Sequence, residues 1–205
     1  MAIMRKGLGV AVGVLLLSPL FAKYKIKGIE VLGASSYAAH QDFQGLVIGA
    51  YSCETTEKAQ TFFDSDKFEE KGILPVLVVL DNQNEFAIRL HEKDIFLIDS
   101  EGNHHATISY HEVLLRLSLK KSLSSYSTKK ELLIRHVRDK NMILDFESKA
   151  FGDKFVGPQS SDYGVVFFES LGKDLAGIRL YFPEIYNASQ GETLIFFEFD
   201  LAGKP

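Results

Sequence analysis

Two places in this sequence where glutamate directly follows histidine are the features that most suggest metal chemistry. The pairs begin at His91 and His111. A zinc-protease helix needs a second histidine four residues after the first, so that both ring nitrogens reach one metal ion. Ile95 and Leu115 occupy those positions. The sequence therefore predicts no zinc centre at either pair.

A third arrangement, His104-His105, directly follows a turn. Neighbouring residues of a strand point to opposite faces of a sheet, so both rings could bind one metal ion only in an irregular loop. A copper carrier would add Met or Cys ligands, and Met142 is the only Met beyond the first 22 residues. We expect solvated histidines here and predict no metal ligands, with a surface metal site at His104 and His105 as the alternative.

Patterns typical of catalysis or cofactor binding are missing from the sequence. It contains no Gly-x-Ser-x-Gly elbow, no Walker loop and no dinucleotide fingerprint. The run from Asp81 to Asn84 starts like a calcium loop, but Phe86 stands where the sixth residue should be glycine. We therefore assign no catalytic residue and no cofactor, and predict that the protein is not an enzyme. A hydrolase of unrecognised type is the alternative.

Cys53 is the single cysteine, so no internal disulfide can form and the core alone must hold the fold. It ends an apolar run, and we expect a buried thiol, with a reactive or intermolecular thiol as the alternative.

The N-terminus has the pattern of a secretory signal. Arg5 and Lys6 precede a ten-residue apolar run that ends at Leu17, and Pro19 follows shortly before Ala22. The run is shorter than the roughly 20 residues that span a bilayer. We expect residues 1–22 to be cleaved, leaving an extracytoplasmic (periplasmic or secreted) protein without a membrane span. An uncleaved anchor is the alternative.

Charge argues against a nucleic-acid partner. Cleavage after residue 22 would leave 21 of the 23 basic side chains against 27 acidic ones, a formal net charge of −6. No basic run stands out that could follow a phosphate backbone.

Residues 23–44 are predicted to be an N-terminal tether, and residues 45–205 to be one domain. In that domain, residues 45–51 predict a buried strand, and Thr55 could cap a short helix that turns Ala59, Phe62 and Phe63 inward. Residues 73–80, 85–90 and 94–99 alternate with turn residues and predict an antiparallel meander, with Asn82 in a hairpin turn.

Residues 109–150 interrupt the strand pattern with a predicted pair of amphipathic helices. Ser109 begins a capping box for the first helix. The second is expected to begin near Thr128 and to turn Leu132, Leu133, His136, Val137 and Leu144 towards one face. Later strands are predicted at 154–156, 163–169, 177–182 and 193–199. About seven strands with turn signals favour a mainly β fold, an antiparallel sandwich with inserted helices.

Several short motifs resemble those of uncharacterised exported bacterial proteins with an immunoglobulin-like β-sandwich domain. They are residues 72–76 (GILPV), 78–79 (VV), Asn82, 94–95 (DI), Asp99, Gly102, 156–158 (VGP) and 164–168 (GVVFF). The resemblance covers roughly residues 45–200. It implies an immunoglobulin-like fold and an extracytoplasmic compartment, and it brings no catalytic residues with it.

The function expected from these observations is that of an exported, non-enzymatic β-sandwich protein acting through protein contacts in the cell envelope. Sandwich domains offer edge strands and loops as docking surfaces. The alternative is a module that binds a small ligand, a lipid or a metal, held between the helices and a sheet. The partner and the oligomeric state stay open.

Overall fold

The computed structural model describes residues 24–118 and 139–203. In this part of the chain the strands are β1 (Ala39–Phe43), β2 (Leu46–Ser52), β3 (Ile73–Asn82), β4 (Ile88–Leu90), β5 (Phe96–Ile98), β6 (His104–Ala106), β7 (Lys154–Val156), β8 (Ser160–Glu169), β9 (Arg179–Asn187) and β10 (Thr193–Asp200). The helices are α1 (Thr56–Phe62), α2 (Tyr110–Ser118) and α3 (Lys140–Lys149), with short 3-10 turns at Ala34–Ser36 and Glu92–Asp94.

The strands form two antiparallel sheets, as a β-sandwich requires. Sheet 1 has the order β1-β2-β3-β8. In sheet 2, β9 pairs with β10 along one side and with β5 and then β4 along the other, while β6 and β7 extend β5 and β4. The fold is thus mainly β.

Two apolar cores make the molecule three layers deep. One core fills the space between the sheets, and the other lies between sheet 1 and a layer that contains the three helices and the segment before β1. Strand β3 contributes to both: Val76 and Val78 face sheet 2, whereas Leu77 and Val79 face the helices. The unbroken apolar run of β3 follows from burial on both faces. Along β9, buried and more exposed residues alternate, because one face of sheet 2 is more open.

The predicted helix after Thr55 is present as α1. The Thr55 hydroxyl accepts a hydrogen bond from Lys58 N at 3.3 Å, and Ala59, Phe62 and Phe63 are buried as expected. Ser109 likewise accepts a bond from Glu112 N at the start of α2.

The predicted meander is wrong. Strand β3 pairs with β2 and β8 in sheet 1, whereas β4 and β5 both pair with β9 in sheet 2. Alternation correctly identified residues with one buried face, but it carries no information on which sheet a strand joins.

Asn82 is not part of a hairpin turn. It is a buried residue at the end of β3, where the chain leaves sheet 1. Its two amide hydrogens are directed to Phe86 O (2.9 Å) and Gly157 O (2.8 Å), with Val156 O further away at 3.3 Å, and its Oδ1 accepts from Asn84 N (3.1 Å). Asn82 is only 2% exposed, so it ties the end of β3 to sheet 2 in the absence of competing water.

Two further expectations differ from the structure. Residues 39–43, placed in the predicted tether, form β1, because the Gln44-Gly45 turn folds them back onto β2. Leu144, expected on the apolar face of a helix, is 56% exposed, since α3 buries Asp145, Phe146 and Lys149. The predicted helix start at Thr128, together with Leu132, Leu133, His136 and Val137, lies outside the described residues.

Among the described residues, no helix combines the length and the apolar character that crossing a membrane requires.

Replacing Asn82 by alanine should destabilise the protein by about 3 kcal/mol, because buried carbonyl groups lose their donor. Chemical denaturation followed by circular dichroism measures this change. The control is Gln83→Ala, at the next, exposed position, for which we expect less than about 0.5 kcal/mol. Equal effects of the two substitutions would show that the hydrogen bonds of Asn82 contribute little.

Candidate functional site

One side of the sandwich, along β8, is closed by other parts of the chain. Among the described strands, β8 pairs with β3 alone, which leaves its second edge to be covered. Phe151 N donates to Val165 O at 3.0 Å, and Ile108 N donates to Phe167 O at 2.8 Å. Edge strands with unpaired backbone groups are sites for pairing with another chain. Residues on both sides of the helical insertion therefore seal this edge.

Gly164 allows that seal to form. A Cβ atom at this position would lie 2.4 Å from Phe151 Cα, closer than nonbonded carbons approach each other. The absence of a side chain lets the Phe151 backbone lie directly against β8.

Within residues 24–118 and 139–203, the opposite side of the sandwich is open. Strand β1 ends sheet 1 and pairs with β2, and β10 ends sheet 2 and pairs with β9. A cleft of about 520 Å³ lies between these two edges. Its lining residues are Ala38, Ala39, His40, Gln41, Asp42, Arg179, Glu198, Phe199 and Asp200. We call this feature the edge cleft.

The Gln41 side chain bridges the edge cleft. Gln41 Oε1 accepts a hydrogen bond at 3.0 Å from Glu198 N, a backbone group of β10 that points away from β9. The Gln41 carboxamide thus occupies the place that the carbonyl group of an added strand would take. Strands β1 and β10 therefore meet through a side chain and not through a backbone ladder.

Most charged groups of the edge cleft are carboxylates. The Arg179 guanidinium pairs with the Glu198 carboxylate, while Asp42 and Asp200 are exposed. His40 Nδ1 lies 2.6 Å from Tyr37 O, so its ring is engaged by the backbone. This arrangement suits binding of an extended or charged group, and it shows no nucleophile paired with a base.

His104 and His105 lie on opposite faces of β6. The His104 ring packs near Phe96 and Tyr181, whereas His105 Nε2 lies 2.9 Å from Asp99 Oδ2. Hydrogen bonds from His105 and Asn103 hold the pKa of Asp99 well below its usual range. Within residues 24–118 and 139–203, no three His, Cys, Asp or Glu side chains converge on a metal position.

The histidines of the two histidine–glutamate pairs also contact neighbouring side chains. His91 Nδ1 lies 2.9 Å from Asp153 Oδ2, and this contact lowers the pKa of Asp153. The His111 ring lies against Tyr110, with 4.0 Å between ring centroids.

Cys53 is buried, as the sequence predicted, and it is a free cysteine. Burial raises the pKa of its thiol, which keeps the sulfur protonated and weakly nucleophilic.

A buried polar cluster lies beneath the helices. The carboxylate of Asp145 is fully buried: its Oδ2 accepts from the Tyr24 hydroxyl at 2.7 Å, and its Oδ1 lies 2.5 Å from Lys149 Nζ. Lys149 also donates to Phe62 O at 2.6 Å. Burial lowers the pKa of Lys149 and, together with the bond to Asp145, raises that of Tyr24.

This cluster holds the segment before β1 against the helices. Asp139, which caps α3, accepts a hydrogen bond from Tyr24 N at 2.8 Å, and Asn141 donates one to Tyr24 O at 3.1 Å. The start of α3 therefore binds both backbone groups of Tyr24. Stacked rings, with Phe63 and Phe146 centroids 4.3 Å apart, lie beside the cluster. Its position within the helical layer indicates a structural role.

The edge cleft was not foreseen from the sequence. Gln41 and Glu198 are separated by 157 positions, and neither belongs to a local motif. The sequence did predict a strand at residues 193–199, which contain Glu198, but it did not identify the neighbour of that strand.

Comparisons with known proteins do not assign the chain to a family. No protein-family model matches it, and no curated protein matches it. Among solved structures it is similar to the yjhA protein from Bacillus subtilis, with a TM-score of 0.39 and 9% sequence identity over 72% of this chain and 78% of that chain. A similarity of this size carries no functional argument. The fold and the cleft define a mainly β protein of two antiparallel sheets with one open side.

The Tyr24→Phe variant tests whether the polar cluster fixes the N-terminal segment. It should lose about 1.5–3 kcal/mol of unfolding free energy, because a hydrogen bond to a buried charge disappears. Thermal or chemical denaturation measures the loss. Tyr181→Phe, on the outer face of sheet 2, is the matched control and should change stability by less than about 0.5 kcal/mol. An unchanged stability in Tyr24→Phe would contradict the anchoring role.

Proposed function

We propose that this protein is an exported, non-enzymatic β-sandwich protein of immunoglobulin-like type that acts through protein contacts in the cell envelope. In this proposal, an extended segment of a partner protein docks at the edge cleft by pairing with β10. Such pairing takes most of its affinity from main-chain hydrogen bonds and its specificity from alternate side chains.

The observation that supports the proposal is that the two sides of the sandwich are bridged in different ways. Backbone groups of Phe151 and Ile108 cap the edge of β8, whereas β1 and β10 are bridged by the Gln41 side chain. Natural sheets cover or disrupt their edges to prevent unwanted pairing. An eight-residue edge strand beside a cleft of about 520 Å³ therefore suits a docking role.

A second candidate function is binding of a small ligand in the same cleft. Its volume lies within the range of about 300–1,000 Å³ that is typical of ligand pockets. It lies along two strand edges with the exposed carboxylates Asp42 and Asp200 in its lining, however, whereas pockets for small molecules are enclosed and contain few charged groups. We therefore favour an extended peptide over a small molecule.

Site-specific photocrosslinking in the native host tests the docking proposal. A photoreactive amino acid replaces Asp200 at the open side or, as the control, the partly exposed Tyr163 on β8. We expect a defined cross-linked protein only from position 200. A synthetic copy of the cross-linked segment should then slow amide hydrogen exchange in β10 of the purified protein and leave β8 unchanged.

Two outcomes would contradict the proposal. Equal cross-linking at both positions would remove the preference for the open side. A segment that binds without protecting β10 would show that docking takes place elsewhere.

Export is tested separately by the intact mass of the chain recovered from the cell envelope or medium. We expect the mass of residues 23–205, because Ala22 suits the position before a signal-peptidase cut. A mass that retains Met1 to Ala22 would contradict cleavage and favour the anchor.

A further inference from the structure

We infer that the segment docked at the edge cleft is a basic extended peptide, and that it displaces the Gln41 carboxamide from Glu198 N. This inference rests on the proposed docking function and names the chemistry of the partner.

The charge of the edge cleft indicates which charge the side chains of the partner should carry. Three carboxylates line it: Asp42, Glu198 and Asp200. Arg179 pairs with Glu198 and offsets one of them. Asp42 and Asp200 have no paired Lys or Arg among the lining residues. Complementary potentials favour association and reject partners of like charge, so a peptide with Lys or Arg side chains fits this surface.

The apolar part of the cleft determines the spacing of those basic residues. Ala39 is buried and Phe199 is half-buried, and both contribute to the core between the sheets. Because side chains alternate between the faces of a strand, a segment in which apolar and basic residues alternate would place one set against this floor and the other towards the carboxylates.

Gln41 determines how tightly an added strand binds. Its Oε1 already holds Glu198 N, the β10 donor that an incoming carbonyl group needs. A docking strand must break this bond before it forms its own. Removing the Gln41 side chain should therefore strengthen peptide binding about fivefold, the equivalent of one hydrogen bond.

The experiment uses two labelled seven-residue peptides, one alternating Val with Lys and the other alternating Val with Glu. Fluorescence anisotropy measures their binding to the full chain at several salt concentrations. We expect the Lys peptide to bind more tightly than the Glu peptide. Binding of the Lys peptide should weaken about tenfold in the double variant Asp42→Asn/Asp200→Asn. Amide exchange in β10 locates the bound peptide.

A matched control separates the cleft from the overall negative charge of the protein. Glu57→Gln/Asp66→Asn removes the same charge at exposed positions on and after α1. We expect this control to bind the Lys peptide as the wild-type protein does. Gln41→Ala should bind it about fivefold more tightly.

The outcomes distinguish this inference from the proposed function. If both peptides protect β10 equally, the docking function stands and the basic partner is wrong. If the cleft variant and the control variant weaken binding equally, the charge preference belongs to the whole surface and the inference fails. If neither peptide binds and neither changes β10 exchange, both the inference and β10 pairing are contradicted. Unchanged or weaker binding by Gln41→Ala would contradict the displacement of Gln41.

Discussion

The buried carboxamide of Asn82 is the interaction on which the sandwich architecture depends. It lies at the end of β3, and its amide group donates to the carbonyl oxygens of Phe86 and Gly157, with the Val156 oxygen 3.3 Å away. Phe86 precedes β4, and Val156 and Gly157 lie at the end of β7, so one side chain joins the two sheets where the chain passes between them. Inside a protein such hydrogen bonds are strong, and their loss leaves buried polar groups with neither a protein partner nor water to bond to.

The layers follow from that connection. With sheet 2 covering one face of sheet 1, the other face of β3 is left for the helices, and its apolar residues serve two cores. The helical layer in turn brings residues 108 and 150–151 to the edge of β8. One edge of sheet 1 is closed by the same segments that carry the helices, and the edge cleft is left on the far side. The docking proposal arises from this asymmetry of the fold.

Local signals in the sequence predicted individual elements well. The run of residues 73–80 predicted β3, Thr55 predicted the start of α1, and the burial of Cys53 followed from its apolar neighbours. Each of these depends on residues that are close in sequence. The assignment of strands to sheets does not, which explains why β3, β4 and β5 were expected to form a meander.

The candidate site depends on contacts between distant residues, so little of it could be predicted. Gln41 fell within the expected tether, because β1 is short and mostly polar and becomes a strand only by pairing with β2. Leu144 was assigned to a buried face from its helical spacing, whereas α3 buries Asp145 and Lys149, whose charged groups lie 2.5 Å apart as an ion pair. Periodicity records apolar residues and cannot anticipate a buried charge that has a partner.

Residue-resolved amide hydrogen exchange of the free protein most directly tests whether the sandwich is closed on one side and open on the other. The amides of Phe151 and Ile108, which bond to β8, should exchange slowly. The amide of Asp200, two residues after Glu198 and therefore on the same outer edge of β10, should exchange rapidly. Equally slow exchange at Asp200 would mean that the edge is already covered, and it would contradict the open side on which the proposed function rests.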